Sequence, residues 1–232
     1  MLFPWPGFFE LVSLADVYVH LDDVQFSKGS FTNRIQLKHP TGRKWMTIPL
    51  KGKGLFQIIH DLEAGATDWK QAHRALLVQS LDGAPYLSLA LDLMDRAYRF
   101  DRLADNLTAS VEMPASILEF DRPAEWITAS SLKVAETSSQ RVLSIVKAVG
   151  GTRYVTAHGA ANYLDHESFE RAGIAVDYID YSKTPYPQLH GDFAPYVSIL
   201  DLAGNLGPQA HDVIRPKTVP WREFLSSRSA AL

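Results

Sequence analysis

The second half of the chain alternates strand-like segments with amphipathic helical ones, and this alternation constrains the fold more than any other feature. Strands are predicted at 126–129, 153–156 and 174–181. Helices are predicted between them, one at 138–149 with apolar residues at helical spacing and one at 162–172. Strand–helix–strand order is typical of parallel pairing, because two parallel strands need a crossover connection. We therefore predict an α/β, Rossmann-like fold with a largely parallel sheet and flanking helices.

The first half adds an N-terminal hairpin and a long helical region. Residues 16–21 form a predicted strand, and residues 31–50 alternate with period two around a His-Pro-Thr-Gly turn, which is typical of a hairpin. Apolar side chains then recur at helical spacing. We predict a single α/β domain over 1–215 with a helical insertion at about 68–120, followed by a poorly anchored tail at 216–232.

Charge and composition exclude several classes of protein. Lysine and arginine number 23 against 26 aspartates and glutamates, so the net charge of −3 provides no basic field for nucleic acid. The chain has no cysteine, which excludes disulfides, thiolate metal sites and a cysteine nucleophile. No apolar run approaches about 18 residues, and the start lacks the pattern of a signal peptide. The expected location is the cytoplasm, without a membrane span.

Standard catalytic fingerprints are absent from the sequence. It contains no Gly-rich dinucleotide motif, no P-loop and no Gly-x-Ser-x-Gly element. None of the eight histidines stands four residues from another, so no metal site is predicted. The candidates for a site are therefore polar clusters at the ends of predicted elements, and they leave the cofactor unknown.

One such cluster follows the first predicted strand. Asp22 and Asp23 close the strand, and Gln25 and Lys28 lie in the loop after it. In open α/β sheets the ligand crevice lies beyond the carboxyl ends of the strands. A carboxylate there can accept a proton, so Asp22 and Asp23 are catalytic candidates, with Gln25 and Lys28 as substrate-binding ones. The alternative is a solvated strand end that begins a turn.

A second cluster stands at the mouth of the hairpin. The guanidinium fork of Arg34, next to Asn33, matches a phosphate or a carboxylate. The alternative is an exposed arginine that discourages pairing at a sheet edge. Trp5 lies in a Pro-Trp-Pro-Gly segment too irregular for a helical core stripe, so we expect it to line a pocket.

A hydroxyl-rich segment forms the third cluster. Ser130 and Ser131 follow a short strand, and Thr137 and Arg141 lie at the start of the next helix. Free N–H groups and the helix dipole at such a start can bind a phosphate or carboxylate. The alternative is ordinary N-capping, which involves no ligand.

The remaining candidates lie near the ends of later elements. Tyr186 and Gln188 follow a strand in a loop stiffened by two prolines, which is either a substrate-orienting loop or a rigid connector. Asp201 stands four residues before Asn205 on the last predicted helix, so both can face a site or water. His158 sits at a strand end and is the histidine best placed to act as a general base.

The sequence resembles the WbqC-like family in segments that follow one another at natural spacing from residue 2 to residue 207. The most specific of them are Leu-Asp-Asp-Val-Gln-Phe at 21–26 and Asn-Arg at 33–34. The matching segments are residues 2–11, 15–28, 33–35, 45–49, 130–131, 148–154, 163–165, 185–188 and 198–202.

The resemblance implies a role in O-antigen, that is lipopolysaccharide, and related surface-polysaccharide biosynthesis. The implied activity is a transferase that acylates or aminoacylates an amino-sugar precursor, with glycine as one candidate unit. Its partners would be small molecules, a nucleotide sugar or an activated acyl donor, and nucleic acid would enter only as an aminoacyl-tRNA donor. On this hypothesis Asp22 or Asp23 takes the amine proton, Arg34 holds a phosphate, and Ser131 with Thr137 holds a second anionic group.

Two alternative functions stay open. The order strand, aromatic turn, helix and strand ending in Asp is similar to the opening of adenylyl- and cytidylyltransferases, although Pro-Trp-Pro-Gly-Phe stands in place of their His-x-Gly-His. A nucleotide-dependent ligase or nucleotidyltransferase is therefore one alternative. A non-catalytic small-molecule binding module is the other.

The start of the chain carries a further expectation. Members of the family usually begin with a strand that ends in Gln-Pro, and Met1 falls inside that motif. A missing strand would leave a sheet edge unpaired and expose the aromatic residues around Trp5, Phe8 and Phe9. We therefore expect a homo-oligomer or marginal stability, with impaired catalysis.

Overall fold

The computed structural model describes residues 1–52, 56–119 and 125–230. Within these residues the strands are β1 (Val17–His20), β2 (Arg34–Leu37), β3 (Lys44–Thr47), β4 (Glu125–Thr128), β5 (Arg153–Thr156), β6 (Ala175–Ile179) and β7 (Thr218–Pro220). The α-helices are α1 (Pro6–Val12), α2 (Trp69–Ser80), α3 (Leu87–Ala97), α4 (Leu103–Ile117), α5 (Ala129–Leu132), α6 (Ser138–Ala148), α7 (His166–Arg171), α8 (Ile199–Leu206) and α9 (Trp221–Ala230).

The described strands form small sheets with mixed pairing. β1 lies parallel to β4, β2 pairs antiparallel with β3, and β6 lies between a parallel β5 and an antiparallel β7. The predicted mixture of helices and strands is confirmed. The described strands do not, however, join into the largely parallel Rossmann-like sheet that was predicted, because the hairpin strands pair with each other and an antiparallel strand takes one edge of β6.

The chain divides into two compact units, each built from discontinuous segments. The first comprises Met1–Phe9, Asp22–Asp121 and Lys183–Arg215, and the second comprises Glu10–Leu21, Arg122–Ser182 and Pro216–Leu232. The helical region predicted at about 68–120 corresponds to α2, α3 and α4 of the first unit, with residue 120 outside the described residues. The single domain over 1–215 stays a prediction.

In the first unit, β2 and β3 confirm the predicted hairpin. Arg34 pairs with Thr47, and Ile35 pairs with Met46. Directly opposed residues of an antiparallel pair point to the same face. Ile35 and Met46 are fully buried, so Arg34 and Thr47 are carried on the opposite, outer face of the hairpin.

Helix α3 is central to the core of the first unit. Its buried residues Ala90, Leu93, Met94 and Ala97 recur at i, i+3, i+4 and i+7, which makes one apolar stripe. The helix packs against both α4 and α8. Among the described residues no helix combines the length and the apolarity required to cross a bilayer.

Residues before α1 are buried in the first unit. Leu2 and Phe3 are fully inaccessible, as is Phe9 within α1. Ser110 of α4 accepts from the backbone N–H of Phe3 at 3.2 Å and donates to a backbone carbonyl of the same segment at 2.7 Å. The exposure expected for the aromatic side chains of residues 5–9 is therefore wrong, since these rings are half-buried or buried.

The second unit has its own apolar core. Phe169 of α7 and Tyr178 of β6 are fully buried in it. The segment predicted as a poorly anchored tail contributes β7, which pairs with β6, and α9. In α9 the ring of Phe224 stacks on Tyr178 with centroids 4.1 Å apart, and Trp221 stacks on His166 at 4.7 Å. Residues 231–232 of that segment lie outside the described residues.

Candidate functional site

The hairpin and the segment after β1 enclose a cleft of about 920 Å³ in the first unit, which we name the cationic cleft. Four predicted substrate-binding residues, Gln25, Lys28, Asn33 and Arg34, line it. The structure thus brings together the loop cluster and the hairpin cluster of the sequence. The other lining residues are Phe26, Ser27, Gly29, Thr47, Ile48, Pro49, Leu50, Phe56 and Gln57.

One wall of the cationic cleft is made by backbone pairing between residues 22–26 and residues 57–60. Phe26 N–H donates to the carbonyl of Gln57 at 2.8 Å, and Gln25 forms an antiparallel bridge in the same pairing. The loop predicted after the first strand is therefore an extended segment. This conformation leaves the side chain of Gln25 exposed.

Asn33 holds two lining segments of the cleft together. Its Nδ2 donates to the carbonyl of Ile48 at 2.8 Å, and the N–H of Ile48 donates to the carbonyl of Asn33 at 2.8 Å. Asn33 itself is buried. Its described role is to position the base of the hairpin, and direct binding of a substrate by its amide stays a prediction.

Arg34 is the cation that the structure orients most firmly in the cleft. Its Nη2 donates to the carbonyl of Gly29 at 2.6 Å, and its guanidinium carbon lies 4.4 Å from the ring centroid of Trp45. Its Nε is buried and has no hydrogen-bond partner among the described residues. A buried donor without an acceptor lowers the stability of the folded protein, and a hydrogen bond to an anionic acceptor on a ligand would remove that cost.

The charge of the cleft has one sign. Lys28 and Arg34 line it, whereas no aspartate or glutamate does so among the residues that the structure describes. Glutamine, asparagine and hydroxyl side chains supply the remaining polar groups, and Phe26, Phe56 and Ile48 supply apolar surface. A concave site with convergent cations and mixed polar and apolar walls favours an anionic small molecule.

The predicted catalytic pair, Asp22 and Asp23, is not among the described residues that line the cationic cleft. Oδ2 of Asp22 lies 3.9 Å from Nδ1 of His60, which lines a second cleft of about 660 Å³ in the same unit. A carboxylate beside an imidazole can orient it and stabilise its protonated form. The Asp22–His60 pair is therefore a candidate acid–base group.

Sequence reasoning missed His60 because no local motif contains it. The pairing that brings it to Asp22 joins distant segments, with the N–H of His60 donating to the Asp22 carbonyl at 2.8 Å. The only local signal in the sequence is the polar pair His60–Asp61, which follows the apolar residues Ile58 and Ile59.

Tyr186, Gln188 and Asp201 lie in the first unit, where they connect the loop after residue 183 to α8. Tyr186 donates to Oδ1 of Asp201 at 2.9 Å, and Asn205 Nδ2 donates to the Asp201 carbonyl at 2.8 Å. Gln188 donates to the carbonyl of Ala194 and accepts from its N–H. Burial raises the pKa of Asp201 to about 6. These hydrogen bonds within the protein account for the polar side chains at the three positions. Substrate binding by them stays a prediction.

The hydroxyl-rich cluster lies in the second unit. Ser131 donates to the carbonyl of Thr128 at 2.7 Å, and Ser130 lies beside the same residue. Thr137 is the N-cap residue of α6, but its side chain makes no capping hydrogen bond. Arg141 donates to backbone carbonyls of the preceding loop. Anion binding at this helix start stays a prediction.

His158 and Trp5 are held by their neighbours. Nε2 of His158 lies 2.8 Å from the carbonyl of Ile179, and since a carbonyl only accepts, Nε2 is the donor in this hydrogen bond. The ring of Trp5 covers Gly7, where a Cβ would lie 2.1 Å from it. A catalytic role for His158 and a pocket-lining role for Trp5 stay predictions.

Within residues 1–52, 56–119 and 125–230, no group of three or more His, Asp or Glu side chains is placed to hold a metal ion.

Comparison with known proteins identifies the family. The chain is 29% identical over 215 residues to the uncharacterized protein Rv1507c of Mycobacterium tuberculosis, an alignment that covers 91% of this chain and 93% of that relative. No solved structure matches the chain. The sequence model of the WbqC-like protein family matches residues 1–213. This range includes every lining residue of the cationic cleft and the Asp22–His60 pair. The chain therefore belongs to the WbqC-like protein family.

Proposed function

We propose that this protein is a transferase that acylates or aminoacylates an amino-sugar precursor in surface-polysaccharide biosynthesis. In this proposal the cationic cleft binds a phosphate-bearing substrate, such as a nucleotide sugar. Membership of the WbqC-like family supports the general role, and the chemistry of the cleft supports the class of ligand.

The observation that carries the proposal is the unbalanced charge of the cleft. Lys28 and Arg34 contribute two cations, and the described lining contains no carboxylate to neutralise them. Arg34 also has a buried Nε without a partner. A guanidinium can bond two oxygens of one phosphate at once, which gives directional as well as electrostatic recognition.

The Asp22–His60 pair supplies the acid–base chemistry in this proposal. An amine that attacks the acyl carbonyl of the donor must lose a proton, which the imidazole of His60 accepts. The new C–N bond replaces the bond between the acyl carbon and its carrier, and the imidazolium returns the proton to the departing carrier. Asp22, whose Oδ2 lies 3.9 Å from Nδ1 of His60, and Asp61, whose Oδ1 lies 3.3 Å from Nε2, both stabilise the imidazolium. The side chain of His60 is 33% exposed and that of Asp22 is 14% exposed, so the imidazole is the more accessible member of the pair.

The proposal predicts that Arg34→Ala weakens binding of UDP-N-acetylglucosamine at least tenfold, because removing a charge-assisted phosphate contact costs about 1.5–3 kcal/mol. Lys28→Ala should weaken binding by a smaller factor, since Lys28 is exposed. Titration calorimetry at low and high salt measures both effects. Affinity for the wild-type protein should fall as salt screens the cleft.

Arg43→Ala is the matched control for these variants. Arg43 is an exposed cation on the same hairpin and is not a described lining residue of the cleft. The melting temperature of each variant, measured without ligand, separates a binding defect from unfolding. Equal losses of affinity in Arg34→Ala and Arg43→Ala would contradict the proposed site.

Turnover separates the transferase from the other functions. Mass spectrometry of UDP-glucosamine, whose amine is free, incubated with acyl and aminoacyl donors should reveal an acylated product that His60→Gln does not form, whereas UDP-N-acetylglucosamine, whose nitrogen is already acylated, should give none. Binding without any product would favour the non-catalytic binding module, and release of pyrophosphate from a nucleoside triphosphate would favour the ligase or nucleotidyltransferase. A cytoplasmic location and a homo-oligomeric state stay predictions.

A further inference from the structure

Two aromatic rings lie exposed on the outer face of the hairpin. Phe31 and Trp45 are 42% and 43% exposed, their centroids are 6.0 Å apart, and their planes meet at 36°. We name this pair the aromatic platform. Large apolar rings are enriched inside proteins, so an adjacent exposed pair indicates a surface that binds something.

Arg34 joins the aromatic platform to the cationic cleft. Trp45 opposes Gln36 in the hairpin, two pairs away from the Arg34–Thr47 pair and on the same outer face. The guanidinium of Arg34 covers the Trp45 ring at 4.4 Å while the residue lines the cleft. A ligand whose phosphate bonds Arg34 therefore has an aromatic surface within reach.

We propose that the aromatic platform stacks the nucleobase of a nucleotide whose phosphates lie in the cationic cleft, an inference that rests on the proposed phosphate site. A nucleobase has a flat π face that stacks on aromatic side chains without base-specific hydrogen bonds. The ligand class is thus a nucleotide or nucleotide sugar in which the base, and not only the phosphate, contributes to recognition. Phe56, which is 71% exposed, adds a further aromatic ring to the lining of the cleft.

The test compares ligands with and without a base. UDP, GDP and ADP carry one, whereas inorganic pyrophosphate, ribose 5-phosphate and N-acetylglucosamine 1-phosphate do not. Trp45→Ala should weaken binding of the nucleotides about tenfold, the usual range for a lost base–aromatic stack. The three base-free ligands should lose less affinity than the nucleotides, because for them the variant removes only the contact between the Trp45 ring and the guanidinium of Arg34. Trp45→Phe retains a π face and should recover most of the nucleotide affinity.

Tyr163→Ala is the control for losing an exposed aromatic side chain, because Tyr163 is 49% exposed and lies in the second unit. Equal nucleotide affinity in Trp45→Ala and wild type overturns the platform while leaving the phosphate site intact. A loss for N-acetylglucosamine 1-phosphate equal to that for the nucleotides, with a smaller loss for pyrophosphate, overturns the base and assigns the ring to the sugar, whereas an equal loss for pyrophosphate assigns the ring to the positioning of Arg34 and also overturns the platform. If base-free phosphates bind regardless of Arg34→Ala, the proposed function fails separately, and if no nucleotide binds the wild type, both proposals fall.

Discussion

Replacing Gly207 with alanine is expected to lower the free energy of unfolding by about 3–5 kcal/mol. Gly207 ends α8 with φ +55°, a conformation in which a side chain is strained. An added Cβ would also lie 2.5 Å from the ring of Tyr86, far inside van der Waals contact. The clash includes Cγ of Tyr86 at 2.6 Å, an atom close to the backbone, and that backbone is held because the Tyr86 N–H donates to the carbonyl of Gly204 at 2.9 Å. Urea denaturation followed by circular dichroism measures the loss.

Gly83→Ala is the matched control for that experiment. Gly83 has φ +84°, but nothing lies within 4 Å of its added Cβ. Only backbone strain remains there, so the expected loss is about 1–2 kcal/mol. In a Tyr86→Ala background, Gly207→Ala should approach the loss seen at Gly83. Equal losses for the two glycine variants in the wild-type background would refute the clash with Tyr86.

Local periodicity predicts those elements whose stabilising contacts are close in sequence. The buried residues of α2, Trp69, His73, Leu77 and Ser80, recur at the helical spacing that the sequence shows. The helix ends at Ser80, just before Asp82 and Gly83, two residue types that disfavour a helix interior. The hairpin was predictable for the same reason, because turn and strand pattern lie within one short segment.

Sheet topology depends on partners that a strand's own residues do not specify. β1 pairs with β4, although residues 22–121 of the first unit separate the two strands in the sequence. Its short, half-buried pattern fits either a parallel or an antiparallel neighbour. The prediction of one parallel sheet came from the rule for βαβ units. The described strands, however, are only three to five residues long.

The residues of the candidate site show the same difference between contacts that are close in sequence and contacts that are distant. Gln25, Lys28, Asn33 and Arg34 lie within ten residues of each other, and the structure places them in one cleft. His60 depends on a distant backbone pairing, so it was missed. The sequence alone does not distinguish two kinds of polar residue near the end of an element. One kind binds a ligand, and the other, like Asp201, is hydrogen-bonded inside the protein.

Asp201→Asn is expected to remove a large pH dependence of stability. Asp201 is 1% exposed, and burial raises its pKa from 3.8 to about 6. Between these values the folded protein keeps a proton that the unfolded chain has lost, so the free energy of unfolding falls as pH rises from about 4 to about 6 and then stays reduced. The shift corresponds to about 2–3 kcal/mol. Unfolding by urea at pH 4.5 and pH 7.5 should therefore show a larger fall in the wild type than in the variant.

The comparison between the two pH values isolates the carboxyl group at position 201. An amide does not ionise between these two pH values. Any difference in packing that Asn introduces therefore affects both measurements equally and cancels. Tyr186→Phe provides the second arm, because the hydroxyl donates to Oδ1 of Asp201 at 2.9 Å and so stabilises the carboxylate. Its removal should raise the pKa of Asp201 further and move the loss of stability to higher pH. Parallel pH profiles of the wild type, Asp201→Asn and Tyr186→Phe would show that the Asp201 carboxyl titrates like an exposed one, and that the network around it does not exclude water.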